Sequence, residues 1–340
     1  VGRQLPFLSL FIPAYLIWVV AGRKGLKGAW PAAAAGGGSF ALAQFIVSNT
    51  WGPYAADIIA SLVSIVVLVL LLHFWRPRDE DPAKGTAVSG AVLTSQLSWR
   101  QGVAAWAPWV LLAAVMIIWS YLKLFQTGRL AIHVPWLHNA IFITLYRKPY
   151  AAIYNFEPLA AGTAALVATL ITAIALKASP RLVLKSGLTT LKQLILPGLT
   201  VVLIVALAYL YNYSGMAYTL GAALAALGGV FPLFSGFLGW IACFMSGSDT
   251  ASNILFGNLQ VAAAHQIGVN PVLLAATNSS GAVTGKMISP QNIAVGVTTV
   301  DMVGQEGDVL RSTFWHSILF AVAISLLALA QAYWLKWMVP

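Results

Sequence analysis

The 340-residue chain is 59% hydrophobic and only 8% charged, with a mean hydropathy of +0.83, whereas a soluble domain carries about 25% charged residues. This excludes a soluble globular protein and predicts an all-α membrane protein, a multi-span helical bundle. Several apolar runs reach the roughly 20 residues needed to cross a hydrocarbon core, without the short alternation of a barrel. The net charge of +10 does not point to nucleic acid, because the Lys and Arg residues fall between apolar runs, where they signal membrane topology.

Three transmembrane helices are expected within residues 1–75, over 5–21, 30–48 and 58–75. The first ends at the basic cluster Arg23, Lys24 and Lys27, and the second carries Gly36, Gly37 and Gly38, small enough for a neighbouring helix to approach closely. A polar cytoplasmic loop is expected over 76–103 and a transmembrane helix over 104–125. An extracytoplasmic connection follows over 126–156, where His133 and His138 do not make a metal site without further ligands. Residues 157–211 hold two more transmembrane helices, 159–176 and 194–210, separated by the basic loop LKASPRLVLKSG. The loops rich in Lys and Arg belong on the cytoplasmic side. Cys243 lies in an apolar run as a small buried hydrophobe. The chain starts at Val1 with no signal peptide in view, so it reads as part of something longer.

Residues 217–296 break this pattern and predict a re-entrant hairpin and discontinuous helices that form the substrate site. A short run ends before Pro232, a half-length run stops at SGSD, and TNSSGAVTG interrupts a third before Met287. Polar, irregular backbone at membrane depth survives only where protein or a water-filled cavity surrounds it. Helices broken in pairs point to a transporter's binding site. A final span is expected over 309–337, entered past Glu306 and Asp308, acidic residues suited to the positive end of a helix.

If a helix begins near Asp249, then Asp249, Ser252, Asn253 and Gln260 fall within about a third of its circumference and Asn258 lies opposite. Ser248 and Asp249 also suit an N-cap. The substrate-binding candidates are Ser246, Ser248, Thr250, Ser252, Asn253 and Gln260 on this side, and Asn278, Ser279, Ser280, Gly281, Thr284 and Lys286 at the second break. Free N–H groups at a half-helix start, with hydroxyls beside them, suit a small carboxylate. Lys286 supplies the charge directly, pairs with Asp249 or snorkels to the interface. Uptake of an anion against a negative-inside potential needs a co-transported cation. A carboxyl group shielded from water can take up and release a proton near neutral pH, which makes Asp249 the first candidate for a proton relay and Glu157 the second. A sodium site of carbonyl and side-chain oxygens is the other option.

At these residues the chain resembles the L-lactate permease family, carriers of lactate and glycolate. The segments LGWIACFMSGSDTASNILFGNLQ, NSSGAVTGKMISPQNIAV, AGGGSFALAQFIVSN, the opening RQLPFLSLFIP and the closing LALAQAYWLKWMVP carry the likeness from end to end. The resemblance implies a secondary active transporter that takes up L-lactate, D-lactate or glycolate by proton symport across the bacterial inner membrane. It implies no enzyme activity and no cofactor beyond the co-transported proton. Family members begin with a further hydrophobic region, so the resemblance makes this chain the later part of a carrier with an ion-transporter-superfamily-like inverted repeat. The missing N-terminal repeat, membrane lipid and a second copy of the chain are the candidate partners, and nucleic acid is not one. In that superfamily Ser-Asn-Thr triplets at hairpin tips hold carboxylates. Ser48, Asn49 and Thr50 match the letters but end a long span.

The alternatives are a carrier of another organic anion, a dicarboxylate or gluconate, with sodium coupling, and an anion channel built from the same half-helices. An intramembrane enzyme using Ser280 as nucleophile and Lys286 as base is a third.

Overall fold

The computed structural model describes residues 1–75, 99–144, 147–299, 302 and 304–339. The loop expected over 76–103 therefore lies outside the described residues as far as residue 98.

Helix α1 (Leu5–Thr50) contains the first two expected spans and breaks at Gly22, where φ is 64° and ψ is −166°, a left-handed region that glycine enters freely. The two halves fold back on each other. Arg3 Nε donates to Asn49 Oδ1 at 2.8 Å and Ser9 Oγ to Gln44 Oε1 at 3.0 Å. A Cβ on Gly37 would collide with the Leu10 carbonyl, so the glycine permits the contact. Helix α2 (Ala56–Phe74) packs on α1, and Gln44 Nε2 reaches Asp57 Oδ1 at 2.8 Å.

Helix α3 (Trp99–Tyr121) starts inside the stretch expected to be loop. The 126–156 connection folds back as antiparallel ribbon, β1 (Leu130–His133) pairing with β4 (Ile153–Phe156) and β2 (Phe142–Ile143) with β3 (Lys148–Pro149). Helix α4 (Ala161–Ala175) packs on α3. The basic segment after it is helix rather than loop. Helix α5 (Pro180–Tyr213) starts where Ser179 Oγ accepts from Leu182 N at 3.3 Å and Pro180 takes the first turn, both strong start signals.

After Gly215, at φ 80°, helix α6 (Met216–Ala225) leaves the end of α5 at a bend of 71°. Helix α7 (Phe231–Ser246) joins the preceding 3-10 turn in a 19-residue apolar stretch, long enough to cross a membrane, where the sequence suggested a half-length run. Then come α8 (Asp249–Ile267), α9 (Pro271–Gly285), a 3-10 turn over Lys286–Ile288, α10 (Pro290–Thr299) and α11 (Glu306–Tyr333). Among the described residues four helices are long and apolar enough to cross a membrane, or up to five if the bent pair is one span.

Helix α9 is central, packed against α7, α8 and α11, while α8 also meets α5 and α6. At one end of this group Phe231, Ala263, Ala264, Leu273, Leu274 and Ala332 form an apolar core.

The expected interruption at TNSSGAVTG is absent, since α9 runs through it. Its threonine hydroxyls fold back on the helix, Thr277 Oγ1 to Leu273 O at 2.9 Å and Thr284 Oγ1 to Gly281 O at 2.7 Å. Its glycines serve packing. A Cβ on Gly281 would strike the Gly236 carbonyl and one on Gly285 the Trp240 carbonyl, so GAVTG is a small-residue contact with α7. The chain breaks just beyond, at 286–289, because Pro290 disfavours helical backbone at the residue before it.

Candidate functional site

Helices α7, α8 and α9 and the start of α10 position the polar side chains of residues 246–292. Helix α7 stops at Gly247, which at φ 69° closes the end by donating its N–H to Cys243 O at 2.7 Å. The next residue, Ser248, is extended and caps α8 by accepting from Ala251 N at 3.3 Å. Ser246 Oγ fastens the same corner, donating to Ala242 O at 2.7 Å and accepting from Ser248 N at 3.3 Å.

Asp249 opens α8 and is half-buried. Its carboxylate accepts from Ser279 Oγ at 3.0 Å and from Asn253 Nδ2 at 3.2 Å. Asn253 Oδ1 accepts from Asn278 Nδ2 at 2.9 Å, and Asn278 Oδ1 accepts from Gln260 Nε2 at 3.3 Å. Gln260 is fully buried and completes the line with Ser235, accepting from its hydroxyl and donating to its carbonyl, both at 2.9 Å. Ser252 Oγ donates to Gly239 O at 3.2 Å. The polar wall expected on one side of α8 thus exists, and it faces α9 and α7.

The chemistry of this line follows from its partners. The Asp249 hydrogen bonds come from neutral groups, and among the described residues no cation forms an ion pair with it. A serine hydroxyl can donate or accept. Ser279 therefore serves a charged Asp249 as donor and a protonated one as acceptor, so proton uptake strands no buried polar atom.

Other expected site residues lie elsewhere. Ser280 is buried and donates to Gln4 Oε1 at 2.7 Å, while Gln4 Nε2 reaches Thr277 Oγ1 and Gln331 Oε1, both at 2.9 Å. That network ties the start of α1 to α9 and α11. Thr284 faces α11, its carbonyl accepting from Ser317 Oγ at 2.6 Å. Gly281 packs on α7. Thr250 and Lys286 are exposed, and Lys286 is too far from Asp249 for an ion pair. The nucleophile–base contact that an enzyme would need between Ser280 and Lys286 is missing, because the hydroxyl is turned to Gln4. Glu157 pairs with Arg129 beside the ribbon rather than with the α7, α8, α9 line. His133 and His138 stack with ring centres 4.2 Å apart, and among the described residues no cluster of three or more ligating side chains could hold a metal. Ser48 and Thr50 donate to carbonyls of their own helix, and Asn49 holds Arg3.

Sequence reasoning missed a second helix start in the same corner. Asn292 Nδ2, in the first turn of α10, donates to Gly247 O at 3.1 Å. The signal was present in SPQN, a serine before a proline that opens a helix. A cavity of about 780 Å³ lies apart, between α4 and α5, lined by Leu166, Leu170, Leu176, Leu188 and Leu191, an apolar setting unsuited to an anion.

The family model described as L-lactate permease matches residues 1–335. The L-lactate permease of Salmonella typhi is 41% identical, the match covering 100% of this chain and 65% of that protein. The Glycolate permease GlcA of Escherichia coli (strain K12) is 42% identical over 98% of this chain and 64% of its own length. The L-lactate permease of Bacillus subtilis (strain 168) is 39% identical over 100% of this chain and 66% of its own length. The chain thus spans about 65% of the length of these curated relatives. No solved structure matches.

Proposed function

Because this chain belongs to the L-lactate permease family, we propose that it is part of a secondary carrier that takes up L-lactate and glycolate by proton symport. The chain is an integral protein of the bacterial inner membrane, and its family is a permease family, not an enzyme family. The matched relatives are longer than this chain, so substrate and coupling are assigned to the whole carrier, whose further length is the proposed remainder of the cavity wall.

The observation that carries the coupling is Asp249 at the start of α8, whose carboxylate accepts hydrogen bonds from Ser279 and Asn253, both neutral. A carboxyl group whose partners tolerate both protonation states can cycle between them with substrate bound or absent. The buried line from Asn253 through Asn278 to Gln260 fixes that carboxyl relative to α9. Glu157, paired with Arg129, supports the relay less well.

The experiment is uptake of labelled L-lactate by the full-length carrier in proteoliposomes, with and without an imposed pH gradient. The wild type accumulates lactate when the outside is acidic. Asp249→Asn loses that accumulation and keeps exchange of internal for external lactate. Normal accumulation in Asp249→Asn removes Asp249 from the relay.

A further inference from the structure

Ser289 departs from what three other Ser and Asn caps do. Ser179, Ser248 and Asn270 each stand before a helix and accept a hydrogen bond from its first turn, at 3.3, 3.3 and 2.8 Å. Ser289 stands in the same relation to α10. It is extended, at φ −65° and ψ 127°, Pro290 follows it, and its carbonyl accepts from Ile293 N at 2.9 Å. Yet its hydroxyl caps nothing. The residue is fully buried and, among the described residues, Oγ has no hydrogen-bond partner.

The hydroxyl is turned toward Gly247. It lies 2.9 Å from the point a Cβ on Gly247 would occupy, and Gln291 Oε1 lies 2.5 Å from that point. Gly247 leads through Ser248 into α8, so the starts of α8 and α10 meet here around a position that only glycine fills. Helix starts carry partial positive charge and N–H groups without partners inside the helix. On α10 the first such donors are those of Gln291 and Asn292, Pro290 having none. The Asp249 carboxylate is engaged by Ser279 and Asn253, on the α9 side of the corner.

Among the described residues one other buried side-chain oxygen lacks a partner, Ser325 Oγ. It sits in the middle of α11 against Gly236, where no helix starts. Ser289 is distinguished by a leftover donor beside Gly247, which joins α7 to the cap of α8 and accepts from Asn292 of α10.

We propose that the Gly247 junction holds the carboxylate of the transported 2-hydroxymonocarboxylate, with the Ser289 hydroxyl donating to one carboxylate oxygen and the starts of α8 and α10 facing the other. The proposal rests on the carrier reading above and adds the residues that recognise the anion. A hydroxyl and backbone N–H groups bind a carboxylate without a fixed countercharge, which eases release on the far side of the membrane. Gln291 is exposed, and its amide is the side chain that moves aside on entry.

The test uses the full-length carrier. Ser289→Ala raises the KM for L-lactate on the order of ten- to a hundredfold and keeps pH-driven accumulation at saturating lactate. In detergent, L-lactate raises the melting temperature of the wild type but not of Ser289→Ala. Methyl lactate, which lacks the charge, leaves the wild type unshifted. The melting temperature of Ser289→Ala without ligand checks that it is folded, and Ser289→Gly repeats the result with a smaller side chain. An unchanged KM and an undiminished lactate shift in both variants overturn the proposal, as does an equal shift by methyl lactate. The carrier reading fails differently, by the wild type itself taking up no lactate.

Discussion

The helices α4 and α5 and the group α7, α8, α9 differ in how many of their polar side chains reach another helix: from the first pair Asn212 does so, bonding Asn258 of α8 at 2.9 Å, whereas in the second a whole line does. In the first pair Thr169 Oγ1 donates to Ala165 O at 2.8 Å and Thr189 Oγ1 to Lys185 O at 2.9 Å, each within its own helix. In the second group Ser235, Gln260, Asn278, Asn253 and Asp249 bond from helix to helix. Their glycines differ likewise. A Cβ on Gly162 of α4 meets nothing within 4 Å, whereas one on Gly239 or Gly281 would run into the backbone of the facing helix. The lesson is that a hydroxyl bonded to its own helix leaves that helix free to slide or turn, whereas amides bonded across a glycine contact fix register. A site that must hold a carboxyl group at one angle belongs in the second kind of region.

The sharpest way to break this contrast is one substitution made in both regions. Gly281→Leu forces α9 off the Gly236 carbonyl and lowers stability by on the order of 3 kcal/mol, whereas Gly162→Leu, pointing into open space, changes it by about 0.5 kcal/mol or less. Unfolding of the two variants in detergent, followed by denaturant titration, decides it. Equal losses would remove the distinction.

A smaller effect is expected from polar truncation. Asn278→Ala takes the partner from half-buried Asn253 Oδ1 and from one N–H of buried Gln260 and costs roughly 1–3 kcal/mol, while Thr169→Ala removes a hydroxyl bonded within its own helix and stays within about 0.5 kcal/mol. Asn278→Ala also loosens the hold on Asp249, so pH-driven lactate accumulation falls in that variant and not in Thr169→Ala. Matching transport in the two would show that the line of amides does not steer the carboxyl group.

Part of the geometry of the candidate site was legible in the letters. Asp249, Ser252, Asn253 and Gln260 share a face because the helical period places them there, and Ser248 caps because an extended serine before a helix satisfies free N–H groups locally. Both arguments need only near neighbours in the chain. The second break was misplaced for the same reason. Gly281 and Gly285 carry no local mark that separates a hinge from a packing contact, and only the carbonyls of Gly236 and Trp240 decide the matter. Likewise nothing near Ser280 announces that Gln4, 276 residues away, takes its hydroxyl.

By itself the sequence determined that the chain lives in a membrane, where α8 starts, and which face of α8 is polar, because hydropathy, capping and period act within a few residues. The tertiary structure alone decided that α9 runs unbroken, that Glu157 is spoken for by Arg129, and that Ser289 is turned to Gly247. Those outcomes depend on which backbone lies opposite a side chain, and that is set by how the helices pack.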